Sequence, residues 1–336
     1  MISIIIPTYN TALLIERTLR SVLEQNGKPE IEVLVVDDCS TDNTLDLVRA
    51  VHDSRIRIFQ QESNHGPAAA RNRGLFEARG EYCAFLDGDD YWEPDFLKET
   101  SSFLQTHPET IAVSVMQCHK IIGKPPCIVP QNIAETQPLV LDDFFAFWAK
   151  YNHVCTGSVL MRTAIAQEIG GQREDLRICE DLEFWALFAT YGAWGFIPKV
   201  LFTSDGGVVT QRQGWLKKNK IRWASAVPFA EWGKRVSPRI PPALQDSYQI
   251  VRGRISRNLC YCLLLSNRID LARQEVFSSG SKFPRTQLNR FFCVIANYRI
   301  PWAILCKLLY FREIMRPVRL FICGFPFFIR RFWEAL

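Results

Sequence analysis

Three carboxylates fall within four positions at Asp87-Gly88-Asp89-Asp90, directly after the apolar run 82–86. That run has the length and composition of a buried strand. The acids therefore stand at a strand's carboxyl end, the edge where open α/β sheets bind ligands. Like charges this close repel unless a cation or hydrogen-bond donors offset them. Gly88 lets the backbone bend and approach a ligand. Hard oxygen donors suit Mg²⁺ or Mn²⁺, ions that often bridge to phosphates. Two readings fit these residues: a metal–diphosphate site, or an acidic turn that ends a strand.

The surrounding elements must bring such acids together. Residues 2–6 are an apolar, β-branched run stopped by Pro7, which predicts a buried strand. Residues 8–11 form a turn with a helix N-cap candidate, and Leu13, Leu14, Thr18, Leu19, Val22 and Leu23 then follow helical spacing. A second strand is predicted over 31–36, ending in Asp37-Asp38. Thr41 is placed to cap a helix whose stripe is Leu45, Leu47, Val48 and Val51. A third strand covers 56–59. Gly66-Pro67 before an alanine run opens a helix at Pro67, with Arg71 on its second turn, near the anion-attracting end. Strand and helix alternate strictly, so a mostly parallel sheet with helices on both faces is expected. Two of its strands end in adjacent acids, and parallel strands present their carboxyl ends along one edge. Asp37-Asp38 and Asp87/Asp89/Asp90 are therefore expected to face one crevice.

Further along, 93–103 has the pattern of a surface helix and 111–116 that of a strand. Residues 121–141 are Pro-rich and irregular, as a lid or acceptor-facing loop would be. A strand over 157–162 and a short helix over 163–169 end at Gly170-Gly171. Glu180 and Asp181 open the next helix. Acids there either complement the helix dipole or serve as a general base.

In this order the chain resembles the inverting family 2 glycosyltransferases of the GT-A fold. The matching stretches are Ile4-Ile5-Ile6-Pro7-Thr8-Tyr9-Asn10, Val35-Val36-Asp37-Asp38-Cys39-Ser40-Thr41-Asp42, Asn64-His65-Gly66 through Arg71-Asn72, Phe85-Leu86-Asp87-Gly88-Asp89-Asp90, and Gly170-Gly171 with Glu180-Asp181. They cover about residues 1–200. The resemblance implies that Pro7, Thr8 and Tyr9 line a nucleotide pocket, and that Asp38 accepts a hydrogen bond from the base, uracil, with Asp37 nearby. It implies that Arg71 touches the nucleotide. Asp87 and Asp89, flanking Gly88, would form the Asp-x-Asp element, with Asp89 on Mn²⁺ or Mg²⁺ and Asp87 on ribose or metal-bound water. Asp181 would be the catalytic base. The donor so implied is a nucleotide-diphospho-sugar, a UDP-sugar, and the product a glycan of the cell envelope or of an exopolysaccharide or lipopolysaccharide. Two departures stand out. No Arg follows the acid pair within 182–188, and the Gln-x-x-Arg-Trp signature of processive polymer synthases is absent. The latter favours transfer of a single sugar. Arg212 is a candidate for reaching the diphosphate, or is simply a solvated loop residue.

Of the 336 residues, 48% are hydrophobic and 22% charged, an ordinary globular composition for a main domain with an appendage. The expected division is a catalytic domain over 1–214 and a basic, mostly helical region over 215–336. The net charge of +5 conceals an asymmetry. Residues 1–214 carry 18 Lys/Arg against 29 Asp/Glu, and residues 215–336 carry 22 against 6. A tail this basic calls for an anionic partner. Its apolar runs 300–311 and 320–329 fall short of a bilayer span and are punctuated by arginines. They suit helices lying in an anionic membrane interface, or helices packed on the catalytic domain. No helix-turn-helix, RNP or zinc-finger pattern accompanies the charge, which argues against nucleic acid. Eleven cysteines without zinc-ligand spacing suggest buried free thiols in a reducing cytosol. The first residues lack a basic n-region and a cleavage site, so a cytoplasmic, peripheral location is expected. A dehydrogenase is excluded because Pro7-Thr8-Tyr9-Asn10 stands where Gly-x-Gly-x-x-Gly belongs, and the P-loop pattern is missing too. The remaining rival is a non-catalytic scaffold of the same fold that binds nucleotide sugar.

Overall fold

In the computed structural model, which describes residues 1–120, 125–205 and 215–314, apolar runs form the strands Ile2–Thr8 (β1), Ile31–Asp37 (β2), Ile56–Gln60 (β3) and Tyr82–Phe85 (β4). Every residue of β1, β2 and β4 is buried, as expected of strands covered on both faces. The helices between them are Ile15–Leu23 (α1), Thr44–Ala50 (α2) and Pro67–Glu77 (α3). Alternation along β1 assigns the faces. Ile4 and Ile6 join Ile15, Leu19 and Val22 of α1 in one core cluster. Ile5 points the other way, so close to α3 that a Cβ on Gly74 would lie 2.4 Å from its Cγ2.

The chain continues through Tyr91–Trp92 (β5), Phe96–Thr106 (α4), Thr110–His119 (β6), Cys127–Val129 (β7), Leu139–Leu141 (β8), Phe144–Tyr151 (α5), Val159–Arg162 (β9), Thr163–Glu168 (α6), Glu180–Phe188 (α7) and Ala193–Ser204 (β10). Among the described residues these strands make one ten-stranded sheet in the order β3-β2-β1-β4-β9-β6-β10-β5, with β7 on β6 and β8 on β10. β3, β2, β1 and β4 pair in parallel. β9 is antiparallel to both β4 and β6, so β6 and its parallel neighbour β10 run in the direction of β4. The sheet is thus parallel over β3-β2-β1-β4, as the alternation predicts, and mixed beyond it, where β5, β7, β8 and β9 run against the other six strands; helices cover both faces.

Several local expectations are corrected. β1 runs through Pro7 to Thr8 instead of stopping. Its ladder with β4 has already ended at Ile5, and the Pro7 carbonyl accepts from Gly88 N at 3.2 Å, so the missing Pro donor breaks no ladder bond. Leu13 lies outside α1 and is 85% exposed. Asp42, and not Thr41, caps the turn into α2, accepting from Thr44 N at 3.0 Å. α4 is no mere surface helix: Phe96, Leu97, Phe103 and Leu104 fill the core. The Pro-rich stretch contributes two short strands, β7 and β8, while its residues 121–124 lie outside the described residues. The ten described cysteines are free: Cys83, Cys260 and Cys306 are buried, six more, Cys155 among them, are partly buried, and Cys293 is exposed.

The chain divides into two compact units, Met1–Asp175 with Glu180–Thr210, and Leu176–Cys179 with Gln211–Leu336. The second is helical: Trp215–Ala224 (α8), Phe229–Trp232 (α9), Gln245–Leu265 (α10), Ile269–Ser279 (α11), Gln287–Ile295 (α12) and Arg299–Ile314 (α13). Trp232, Leu259, Leu263, Leu264, Phe292 and Trp302 are among its fully buried side chains. The Glu275 carboxylate is buried there but paired, accepting from Phe229 N at 2.9 Å and from the Ser256 hydroxyl.

Candidate active site

β1, β2 and β4 lie side by side and deliver Thr8, Asp37-Asp38 and Asp87 to one edge. The acid turn rests on the end of β1. A Cβ on Gly88 would lie 3.1 Å from both Thr8 Oγ1 and Thr11 Oγ1 and 3.3 Å from Pro7 O, so a side chain there would push the turn off the strand. α1 grips the turn from outside. Thr18 Oγ1 stands 2.7 Å from Asp90 O and 3.1 Å from Gly88 O. Arg17 Nη2 donates to Asp89 O at 2.8 Å while its Nη1 pairs with Asp205. Nothing in the motifs pointed to Arg17 or Thr18. The spacing of one helical turn between Leu14 and Thr18 was legible only as core.

The neighbouring loop is ordered by Asp38. It is 3% exposed, and its two carboxylate oxygens accept from His65 N and Gly66 N, both at 2.7 Å. Gly66 has φ of +91°, which suits glycine, and Pro67 starts α3. Each oxygen of Asp38 retains a lone pair, so a further donor can be accepted. Asp37 binds Ser40 through its backbone N–H and hydroxyl. Tyr9, 46% exposed, stands at the rim beyond Pro7 and Thr8.

One helical turn into α3, Arg71 is buried and meets the acid turn. Its Nη2 donates to Asp87 Oδ1 at 2.7 Å and its Nη1 to Gln172 Oε1 at 3.2 Å. Burial opposes its charge, but Asp87, then Asp181 and Glu180, more than offset that, so its pKa is raised. Asn72 holds Gln172 from both sides, its Nδ2 donating to Gln172 O and its Oδ1 accepting from Gln172 N, each at 2.8 Å. Gly171, at φ +68°, permits this: a Cβ there would lie 2.3 Å from Asn72 Oδ1. The Gly170-Gly171 pair thus positions Gln172, which steadies Arg71.

Glu180 and Asp181 open α7 within the field of Arg71 and Asp87. Burial, then the charge of Glu180, pushes the Asp181 carboxyl up to about 6, with Arg71 pulling against them. A carboxylate of that strength is ionised at neutral pH yet holds a proton well enough to act as a base. Cys155 shares this field: burial raises its thiol pKa, and Asp90, Asp181 and Asp87 raise it further. Around these residues, Arg71 Nε, Gln172 Nε2, Glu180 Oε2, Trp185 Nε1 and Thr156 Oγ1 are buried and have no protein hydrogen-bond partner. Each such orphan costs about 1–3 kcal/mol. Their concentration at one sheet edge suits a site built to receive a polar ligand. Cys155 and Thr156, which precede β9, carried no sequence signal.

The acids also fit a divalent cation. Asp90 is pushed up to about 8 by burial and by the charges of Asp89 and Asp87, a repulsion that the Asp205 N–H only partly relieves. Among the described residues no group of three His, Cys, Asp or Glu side chains is placed to hold a metal ion by itself. Mg²⁺ and Mn²⁺ at nucleotide sites commonly take one or two carboxylates and complete their shell with phosphate oxygens and water. Asp87 and Asp89 suit that arrangement. Arg212 lies outside the described residues.

Residues 3–167 match the family described as "Glycosyl transferase family 2". The poly(ribitol-phosphate) beta-N-acetylglucosaminyltransferase TarS of Staphylococcus aureus is 39% identical over 142 residues, 41% of this chain and 24% of TarS. The UDP-Glc:alpha-D-GlcNAc-diphosphoundecaprenol beta-1,3-glucosyltransferase WfaP of Escherichia coli is 42% identical over 106 residues, 32% of this chain and 42% of WfaP. The match therefore spans less than half the length of either relative. The crystal structure of S. aureus TarS 1–349 in complex with UDP-GlcNAc superposes with a TM-score of 0.59 at 20% identity, covering 93% of this chain and 92% of that one. The mannosyltransferase PcManGT of Pyrobaculum calidifontis, in complex with GDP-Man and Mn²⁺, gives 0.52 at 22% identity, covering 90% and 86%. At such identities the structural likeness speaks for the fold, the GT-A fold, and residues 3–167, just under half of the chain, are those that match glycosyltransferase family 2.

Proposed function

We propose that this chain transfers one sugar from a UDP-sugar to an acceptor hydroxyl, with inversion, in the assembly of a cell-envelope glycan. The observation that carries the reading is the pairing of buried Arg71 with the partly exposed Asp87, with Asp181 raised to about 6 in the same electrostatic field. Pro7, Thr8 and Tyr9 line the nucleotide pocket, and Asp38 accepts a hydrogen bond from the uracil while ordering 65–66. Asp87 and Asp89, on either side of Gly88, hold Mn²⁺ or Mg²⁺. When bound, that ion offsets the charge gathering on the departing diphosphate. Arg71, fixed by Asp87 and Gln172, orients the donor and leaves its Nε for a ligand oxygen. Asp181 accepts the proton of the acceptor hydroxyl as that oxygen attacks the anomeric carbon opposite the leaving nucleotide. A single displacement of this kind inverts the anomeric centre.

TarS is named for N-acetylglucosaminyl transfer to poly(ribitol-phosphate), and WfaP for a UDP-Glc donor and a diphosphoundecaprenol-linked acceptor. A lipid-linked acceptor at the cytoplasmic face of an anionic membrane is the corresponding proposal here. The discriminating experiment incubates purified protein with Mn²⁺ and a panel of UDP-, GDP- and TDP-sugars, measuring thermal shift and donor hydrolysis. UDP-sugars stabilising the protein and releasing UDP supports the reading. Stabilisation without any turnover would instead identify a nucleotide-sugar-binding scaffold.

A further inference from the structure

We infer that the outer face of α13 is a membrane-seating surface that lies in the interface of an anionic bilayer. The inference rests on the membrane contact proposed above and is independent of which sugar is transferred. α13 is apolar on two opposite sides. Trp302, Leu305, Cys306 and Leu309 turn inward and are buried. Ile300, Ile304, Leu308 and Phe311 recur at helical spacing on the other side, and are 77%, 57%, 50% and 53% exposed. α12 and the turn after it continue the exposure with Phe291, Val294 and Tyr298. Isolated exposed apolar residues are ordinary, but a stripe along three helical turns is a contact surface.

Charge identifies the occupant. Residues 280–336 contain 10 Lys/Arg and 2 Asp/Glu. Of those two acids, Glu313 is buried, accepts from Tyr261 at 2.7 Å and pairs with its neighbour Arg312, so what it offsets is that largely buried arginine and not the exposed Lys307 or Arg290. Lys307 is exposed beside the stripe, and Arg290 beside Phe291. A second copy of this basic face would repel it, and residues 315–336 are themselves basic, so neither supplies counter-charge. A layer that is apolar inside and anionic at its surface matches both features, with the Lys and Arg stems lying along the apolar side. No described helix is long and apolar enough to cross a membrane, so the geometry is one of lying in the interface.

The test is co-sedimentation of the full chain with vesicles of neutral lipid alone or with roughly 30% anionic lipid. Wild type is expected in the pellet with anionic vesicles only, and released by high salt. Ile304→Asp/Leu308→Asp should lower the partition at least about tenfold, and Lys307→Glu about fivefold. All three positions are exposed, so the melting temperature and the shift given by UDP should match wild type. Wild type remaining in the supernatant, or both variants pelleting like wild type, would overturn the inference. Loss of the UDP shift in wild type with pelleting intact would instead remove the UDP-sugar reading and leave this surface standing.

Discussion

The two units carry opposite charge and put it to different use. Residues 1–214 hold 18 Lys/Arg against 29 Asp/Glu, while residues 215–336 hold 22 against 6. In the first unit the acids converge from separate strand and helix ends, and two buried or half-buried arginines, Arg71 and Arg17, hold them in place. Arg71 Nε, Gln172 Nε2 and Glu180 Oε2, among its orphaned polar atoms, belong to that group of residues. In the second unit the buried acids Glu275 and Glu313 are both engaged by hydrogen-bond donors, and what remains unsatisfied is apolar surface on α13. A site that does bond chemistry needs a few groups at fixed positions. A surface that seats on a membrane needs only one helix face and a sign of charge. On the proposed reading turnover falls to the first unit and placement to the second, and the substitutions below can separate them.

The largest effect is expected at Asp181. Asp181→Asn should lower kcat by about a thousandfold while donor binding persists, since only proton acceptance is lost. Turnover near wild type would take Asp181 out of the reaction. Asp89→Ala comes next. It should abolish the metal-dependent part of nucleotide affinity, leaving binding that no longer responds to Mn²⁺; calorimetry with and without the ion measures this. Wild-type affinity with Mn²⁺ present would contradict it. If Ile304→Asp/Leu308→Asp lowers turnover on a water-soluble acceptor as much as either change does, the division of labour fails.

A smaller effect should follow pH. The base works as the carboxylate, and burial beside Glu180 raises its pKa to about 6. Rates should therefore be flat above that value and fall about tenfold per unit below it. The helix-face variants should share this profile and differ from wild type only in vesicle binding. Asp181→Asn should lose the limb altogether, and its survival in that variant would assign the limb to another group.

The strands were legible because β1, β2 and β4 are buried on both faces and so consist of uninterrupted apolar runs. Asp38, Asp87, Asp89 and Asp181 were legible because strand ends and a helix start announced them locally. Arg17, Gln172, Cys155 and Thr156 were not. Their places depend on how distant segments pack, and no local rule marks an arginine on an amphipathic helix for the carbonyl of Asp89, 72 residues away. The strand over 91–92 and the two inside 121–141 were hidden for another reason. They are two or three residues long and owe their conformation to the strands they pair with. In the basic region, the apolar pattern of 300–311 showed a helix but not which side was spare, because residues on both sides are apolar.

His153 tests the assignment of the orphans themselves. It belongs to the first unit, is fully buried, and neither ring nitrogen has a partner. Yet its surroundings are Phe144, Phe147, Trp194 and Phe196, with ring centroids 5.2, 4.9, 6.4 and 5.9 Å away, and not the acids of the sheet edge. Burial drives its pKa down to about 3, so the folded chain holds it neutral. The unfolded chain binds a proton near the ordinary value of 6.5. Stability is therefore intact above pH 6.5 and is lost as pH falls below it, by up to about 1.4 kcal/mol per unit. His153→Phe removes both the orphaned nitrogens and that slope. At neutral pH it should raise stability by about 1 kcal/mol, read from denaturant melts, with kcat unchanged. Higher stability with full activity would show that an unsatisfied polar group in this unit can be a tolerated core residue, and that the edge orphans are distinguished by their company. A loss of turnover without loss of stability would bring His153 into the site and extend the reactive region beyond the edge where the acids converge.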